Sequence, residues 1–194
     1  PILVCVEQGI GDQVLFLSAM DQAIEEFKKV LFICENRLAP IVKRSFPQLE
    51  VAQPGLIEAW NDCGLPNNGF IPLGSLLPRY RPTVESFIER RRPFLQVDGD
   101  LYASYHRKLR EIAQGRPIVG ISWKGGYWEN QKRNKALAIE NWLPIFERGA
   151  LCVNLQYGDT TPDQQFLAER GYEMLSFPAL DFKKDLDHWL AISA

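Results

Sequence analysis

Ile118-Val119-Gly120-Ile121-Ser122-Trp123-Lys124-Gly125-Gly126 is an apolar run that opens into a glycine-rich loop bearing a lysine. Arg133 to Trp142 follows as a basic segment leading into a helix, and Val153-Asn154-Leu155-Gln156-Tyr157-Gly158-Asp159 is a second strand ending in a polar, glycine-containing loop. A short apolar run bounded by turn residues reads as a buried strand, and glycines at its end let the backbone approach a ligand closely. The Lys124 ammonium reaches a phosphate as a point charge. The layout suits a phosphate-bearing ligand.

Outward from this block, the first half repeats the alternation. Ile2 to Val6 is a short apolar run, Glu7-Gln8-Gly9-Ile10-Gly11-Asp12 a tight turn, and Val14 to Phe27 carries apolar residues at helical spacing. Lys29 to Cys34 reads as a second strand, Leu38 to Phe46 as a short helix stopped near Pro47, and Leu49 to Ala52 as a third strand. Successive strand-helix-strand steps predict a parallel, Rossmann-like sheet of the α/β class. Gln53 to Pro82 is rich in Pro, Gly and Asn and predicts long loops with short helices. Val84 to Arg92 reads as a charged turn or helix, and Leu101 to Ala113 as an amphipathic helix. Gln114-Gly115-Arg116-Pro117 is the candidate hinge, dividing the chain into residues 1–114 and 115–194. After it the alternation restarts: strand at Ile118 to Trp123, helix at Ile139 to Phe146, strand at Ala150 to Leu155, helix at Pro162 to Arg170, a weak strand at Glu173 to Ser176, and a helix from Leu186. That is about two and a half strand-helix steps, against the five or six strands of a usual doubly wound domain. The second unit is expected to be incomplete within these residues, as in a truncated chain.

With 46% hydrophobic residues over 194 positions, the chain can bury a core. A formal net charge of −2 leaves no basic field to gather nucleic acid or anionic membrane, so any anion site is local. No apolar run reaches membrane-span length, and no basic segment precedes the first strand, so a cytoplasmic location is expected. Cys5, Cys34, Cys63 and Cys152 lack metal-ligand spacing. Three of them lie in apolar runs and read as small core residues in a reducing compartment. His106 and His188 are far apart with no carboxylate or cysteine at ligand spacing, and Asp181, Asp185 and Asp187 share their loop with Lys183 and Lys184. Neither set predicts a metal site.

Gly9, Gly11 and Asp12 sit where a strand hands over to a helix. A dinucleotide fingerprint would place a third glycine at position 14, which is Val14, although Glu35 stands about where a ribose-binding acid would. The Asp12 carboxylate beside a helix N-terminus would repel a pyrophosphate there. A nicotinamide-dependent oxidoreductase is therefore the weaker reading. Plain alternatives remain open for each residue: Asp12 as a helix cap, Lys124 as a solvated loop lysine, Trp123 as a core aromatic, and Lys132, Arg133 and Lys135 as a solvated charged loop.

The three-part block, the Gly9-Ile10-Gly11-Asp12 turn and the Pro72-Leu73-Gly74-Ser75-Leu76-Leu77-Pro78 stretch, taken in order, resemble the bacterial glycosyltransferases of the heptosyltransferase type. The resemblance is closest to the branch often attached to tetratricopeptide repeats and covers nearly the whole chain. It implies two Rossmann-like units as in the GT-B glycosyltransferase fold, the first on the acceptor side and the second on the donor side. It also implies metal-independent transfer of a sugar from a nucleotide-sugar donor to a glycan or protein hydroxyl, with no further cofactor. Asp12 matches the family's general base. Lys124 matches the basic residue on the donor diphosphate, followed by the turn glycine Gly125, and Arg133 matches an arginine nearby. Asn134-Lys135 departs from the commoner Arg-Ser pair. Gln156 and Tyr157 fall in the loop that family members place near the nucleotide base and ribose. The family's donor-closing strand and loop would lie beyond Ala194, so the 194 residues alone are expected to be inactive. A noncatalytic nucleotide-sugar-binding or protein-interaction module is the alternative.

Overall fold

The computed structural model describes residues 1–52, 69–90, 92–125 and 136–194. Cys63, Gly126, Lys132, Arg133 and Lys135 lie outside the described residues. Chain contacts divide the molecule into two compact units, Pro1–Gln96 and Val97–Ala194.

In the first unit, β1 (Ile2–Cys5) lies between β2 (Val30–Ile33) and β4 (Phe70–Pro72), both parallel to it, and β3 (Glu50–Ala52) adds to β2. The order is β3-β2-β1-β4. An inner parallel strand is covered on both faces, so β1 is apolar at successive positions and Ile2, Leu3 and Val4 are all buried. β4 lies within the stretch read from sequence as loop. It has three residues, ends in Pro72 and follows Gly69 at φ +92°, so its composition is that of a turn. Only its pairing with β1 makes it a strand.

The segment expected as one helix from Val14 is three pieces: α1 (Ile10–Phe16), a 3-10 turn at Leu17–Ala19, and α2 (Met20–Glu26). Gly9, extended at φ −64° and ψ 164°, starts α1 earlier than the apolar spacing indicates. At the 3-10 turn the Ser18 carbonyl accepts a hydrogen bond from Arg81 Nη2 at 3.1 Å. Arg81 is buried, and its guanidinium also donates to Tyr80 O at 3.0 Å and to Gln22 Oε1. α3 (Ala39–Ser45) ends before Pro47, as read. A 3-10 turn at Leu73–Ser75, α4 (Leu76–Tyr80) and α5 (Val84–Glu89) complete the unit. Thr83 and Ser86 cap α5 reciprocally through each other's backbone amides.

The second unit opens with α6 (Gly99–Ala113), whose cap, Asp98, accepts from the amides of Asp100 at 3.1 Å and Leu101 at 3.0 Å. Left-handed Gln114 (φ 49°) and Gly115 (φ 86°) end it. β5 (Ile118–Ile121), β6 (Leu151–Asn154) and β7 (Met174–Leu175) form a parallel sheet in that order. All four residues of β6 are buried. The three apolar ones alternate between two cores, as strand geometry requires. Leu151 and Val153 meet Leu109, Ala113, Phe182 and Ile192, while Cys152 meets Ile121, Trp123, Ile139, Phe146 and Leu167. A 3-10 turn at Ile139–Trp142, α7 (Leu143–Phe146), α8 (Thr161–Ala168) and α9 (Leu186–Ser193) supply these partners.

The sequence reading grouped α6 with residues 1–114, whereas its packing groups it with the second unit. An amphipathic helix declares an apolar face without naming the sheet it will cover. Gln114 to Pro117 accordingly joins a helix to a strand inside one unit.

The molecule is therefore an α/β protein with parallel sheets of four and three strands among the described residues, consistent with two Rossmann-like units. No described helix is long and apolar enough to cross a membrane. Cys34 and Cys152 are buried free thiols and Cys5 is half-buried. Burial pushes the Cys34 thiol up to about 11, so it stays protonated and unreactive near neutral pH.

Leu109→Ala tests the assignment of α6. It removes a buried side chain between α6 and β6 and is expected to cost about 2–5 kcal/mol. Hydrogen exchange should report lost protection in β6 and unchanged protection in β1.

Candidate functional site

In the first sheet the chain steps from β1 to β2 to β3 on one side, then returns to place β4 on the other side of β1. The carboxyl ends of β1 and β4 flank this reversal, the usual place for a ligand crevice in an open α/β sheet. Glu7 through Asp12 follows β1 there, and the Leu73–Ser75 turn follows β4. The two are tied by the Gly74 amide, which donates to Glu7 Oε1 at 3.0 Å. A Cβ on Gly74 would lie 2.7 Å from that oxygen and 3.1 Å from the Phe16 ring, so a side chain there would displace the Glu7 carboxylate from the amide it holds. Gln13 is buried beneath the turn, donating to Gln8 O at 2.9 Å and Glu35 Oε1 at 3.4 Å. Arg37 Nε holds the other Glu35 oxygen at 2.7 Å.

Asp12 is exposed in the first turn of α1, and no side chain caps that helix. The cap reading of Asp12 therefore does not describe this structure. Gly9 and Gly11 have ordinary backbone angles, and a Cβ at Gly11 would meet open space. Their smallness leaves the surface beside Asp12 uncovered.

In the second unit the loop after β5 is held by one side chain. Gln156 is 5% exposed. Its Oε1 accepts from the Lys124 amide at 2.8 Å, the Trp123 amide at 2.9 Å and Ser122 Oγ at 3.1 Å. Its Nε2 donates to the carbonyls of Lys124 and Tyr157, both at 3.1 Å. Asn154 Oδ1 in turn accepts from the Gln156 amide at 2.9 Å, and Asn154 Nδ2 donates to Thr160 Oγ1 at 2.9 Å and Ser176 Oγ at 3.3 Å. Every polar end of the glutamine is used, so it acts on the Lys124 loop from below.

Lys124 extends from this clamped backbone, half-exposed, and pairs with Asp163 in the first turn of α8. Asp159 accepts the Thr161 amide at 2.9 Å, which, with a smaller contribution from the Lys124 charge, holds its carboxyl below the usual range. The Tyr157 ring packs against the core shared by α6 and α9, with Lys183 Nζ 5.4 Å from its centroid. Gly125 is exposed beside Lys124, and Arg133 lies outside the described residues. Trp123 is buried in the core, as its plain reading had it.

Lys124, Gln156 and Tyr157 thus meet at the carboxyl ends of β5 and β6, with only Lys124 presenting a charged group outward. Sequence reading missed Asp163 and the Glu7–Gly74 tie. The signals were slight: an acid early in a helix, and an acid directly after an apolar run. Among the described residues no three His, Cys, Asp or Glu side chains group as metal ligands. His188 Nδ1 instead lies 2.7 Å from Tyr105 Oη.

The whole chain aligns over 212 positions with protein FlbA of Caulobacter vibrioides at 31% identity. It spans 34% of that protein's length. No family model matches the chain, and no solved structure does.

Gln156→Leu would leave two backbone amides and two carbonyls without their partner and is expected to cost about 3 kcal/mol in denaturant unfolding. Asp159, whose carboxyl is held low in the folded protein, contributes stability above the ordinary carboxylate range and loses it as pH falls through the lowered value. Melting temperatures of wild type and Asp159→Ala should therefore differ near neutral pH and converge in acid.

Proposed function

We propose that the chain belongs to a nucleotide-sugar-dependent glycosyltransferase of the heptosyltransferase-like type, built from Rossmann-like units of the GT-B kind. The observation that carries this reading is the Lys124 ammonium, presented at the carboxyl end of the outer parallel strand β5, beside buried β6, on a loop fixed by Gln156. A preorganised cation at such a place suits a leaving diphosphate, whose negative charge grows in the transition state. Arg133 would add a second cation. In the first unit, the uncapped and solvent-facing Asp12 beside the sheet's reversal point suits a general base.

In this scheme a carboxylate oxygen of Asp12 takes the proton of an acceptor hydroxyl as that oxygen attacks the anomeric carbon. The bond from the anomeric carbon to the diphosphate oxygen breaks, and the nucleoside diphosphate leaves with its charge met by Lys124 and Arg133. The acceptor would be a glycan or protein hydroxyl, and no metal is needed. The free thiols at Cys5, Cys34 and Cys152 favour a cytoplasmic setting, where activated sugars are available.

A second reading, a protein-interaction module, is favoured by one feature. Val84, Phe87 and Ile88 form an exposed apolar stripe along α5.

The test uses the intact protein and a panel of nucleotide sugars. One of them should raise the melting temperature, as a ligand specific to the folded state must. Lys124→Ala should weaken its binding about tenfold or more, whereas Asp12→Asn should keep donor binding and lower transfer by about 10²–10⁴-fold. A panel without any thermal shift, or a Lys124→Ala protein that binds and transfers normally, would remove the basis for the proposal.

A further inference from the structure

We infer that Asp163 is a built-in competitor for Lys124 that makes the anion site selective for diphosphate over singly charged ligands. The inference rests on the donor-site reading of Lys124.

Three features of the second unit lead to it. First, Asp163 pairs with the Lys124 ammonium, and its side chain is only 14% exposed against 45% for the lysine. The carboxylate is held in the first turn of α8, where the helix N-terminus favours negative charge, so the partner is waiting rather than recruited. Second, the Lys124 charge also contributes a little to holding the Asp159 carboxyl low, so the ammonium is already partly neutralised before any anion arrives. Third, the backbone amides of Trp123 and Lys124, which in a phosphate-binding loop would receive the ligand, are both committed to Gln156 Oε1. They offer the arriving anion nothing.

A ligand therefore wins only by outcompeting a carboxylate for Lys124. A monoanion brings the same charge as Asp163 and must surrender an already ordered pair. A diphosphate brings more charge on several oxygens, so it draws the ammonium away from Asp163 more strongly. When it departs, Asp163 recloses on the lysine.

The experiment measures binding by calorimetry in the intact protein, with inorganic pyrophosphate as the polyanion and dimethyl phosphate as the monoanion of like oxygen chemistry. Wild type should bind pyrophosphate and show no detectable binding of dimethyl phosphate. Asp163→Asn should bind pyrophosphate about threefold tighter or more, and should acquire measurable affinity for dimethyl phosphate. Lys124→Ala should lose pyrophosphate binding. An Asp163→Asn protein with unchanged or weaker pyrophosphate affinity overturns the inference, and so does one that still excludes dimethyl phosphate. A Lys124→Ala protein that binds pyrophosphate normally overturns instead the donor-site reading beneath it. Asp163→Ser is the second variant. If both substitutions unfold the protein, Asp163 is a structural residue and the inference fails.

Discussion

The side-chain amide of Gln156 closes the ends of two parallel strands, and the geometry of the second unit's candidate site depends on it. Parallel strands finish with amides and carbonyls that no neighbouring strand takes up, and burial makes each orphan costly. A glutamine offers an acceptor and two donors on one short stem. Here the acceptor serves the β5 loop and the donors bind carbonyls of both loops. The loop bearing Lys124 has one backbone course in consequence, and a charge on a fixed loop acts without reorganising.

The first unit meets the same constraint by other means. Its turn after β1 is fixed by a carboxylate on a glycine amide and by a buried glutamine beneath. The break between α1 and α2 is served by the Arg81 guanidinium, far along the chain. In both units a polar side chain distant in sequence supports the backbone nearest the candidate chemistry. Removing such a residue should alter the site through geometry, leaving its charged groups in place.

Much of the fold was legible in the residues. β1 and β6 are inner strands, so β1 is apolar throughout and β6 is apolar up to its last residue, Asn154, and no turn signal interrupts them. The two glycine-bearing turns, the stop at Pro47 and the amphipathic pattern of α6 were equally plain. β4 was not, because a short edge strand ending in proline carries the composition of a loop. The sheet that α6 covers was not legible either. Of the candidate site, Lys124 and Gln156 stood out in sequence as polar residues directly after apolar runs, and Asp12 as the acid of a glycine-bearing turn between strand and helix. What each does there did not: Gln156 read as a ligand contact, but its amide is spent on the protein's own backbone, and the partner of Lys124 went unnoticed.

By itself, then, the sequence determined the α/β class, the parallel alternation and the places where polar groups emerge from the ends of apolar strands. These follow from local periodicity and turn chemistry, which act over a few residues. Tertiary structure alone decided which sheet α6 joins, that Phe70–Pro72 pairs with β1, that Glu7 meets Gly74, and that Asp163 holds Lys124. Each is a contact between residues remote along the chain. Such contacts depend on how the sheet orders its strands and on which buried polar atoms need partners, and no window of neighbouring residues records either.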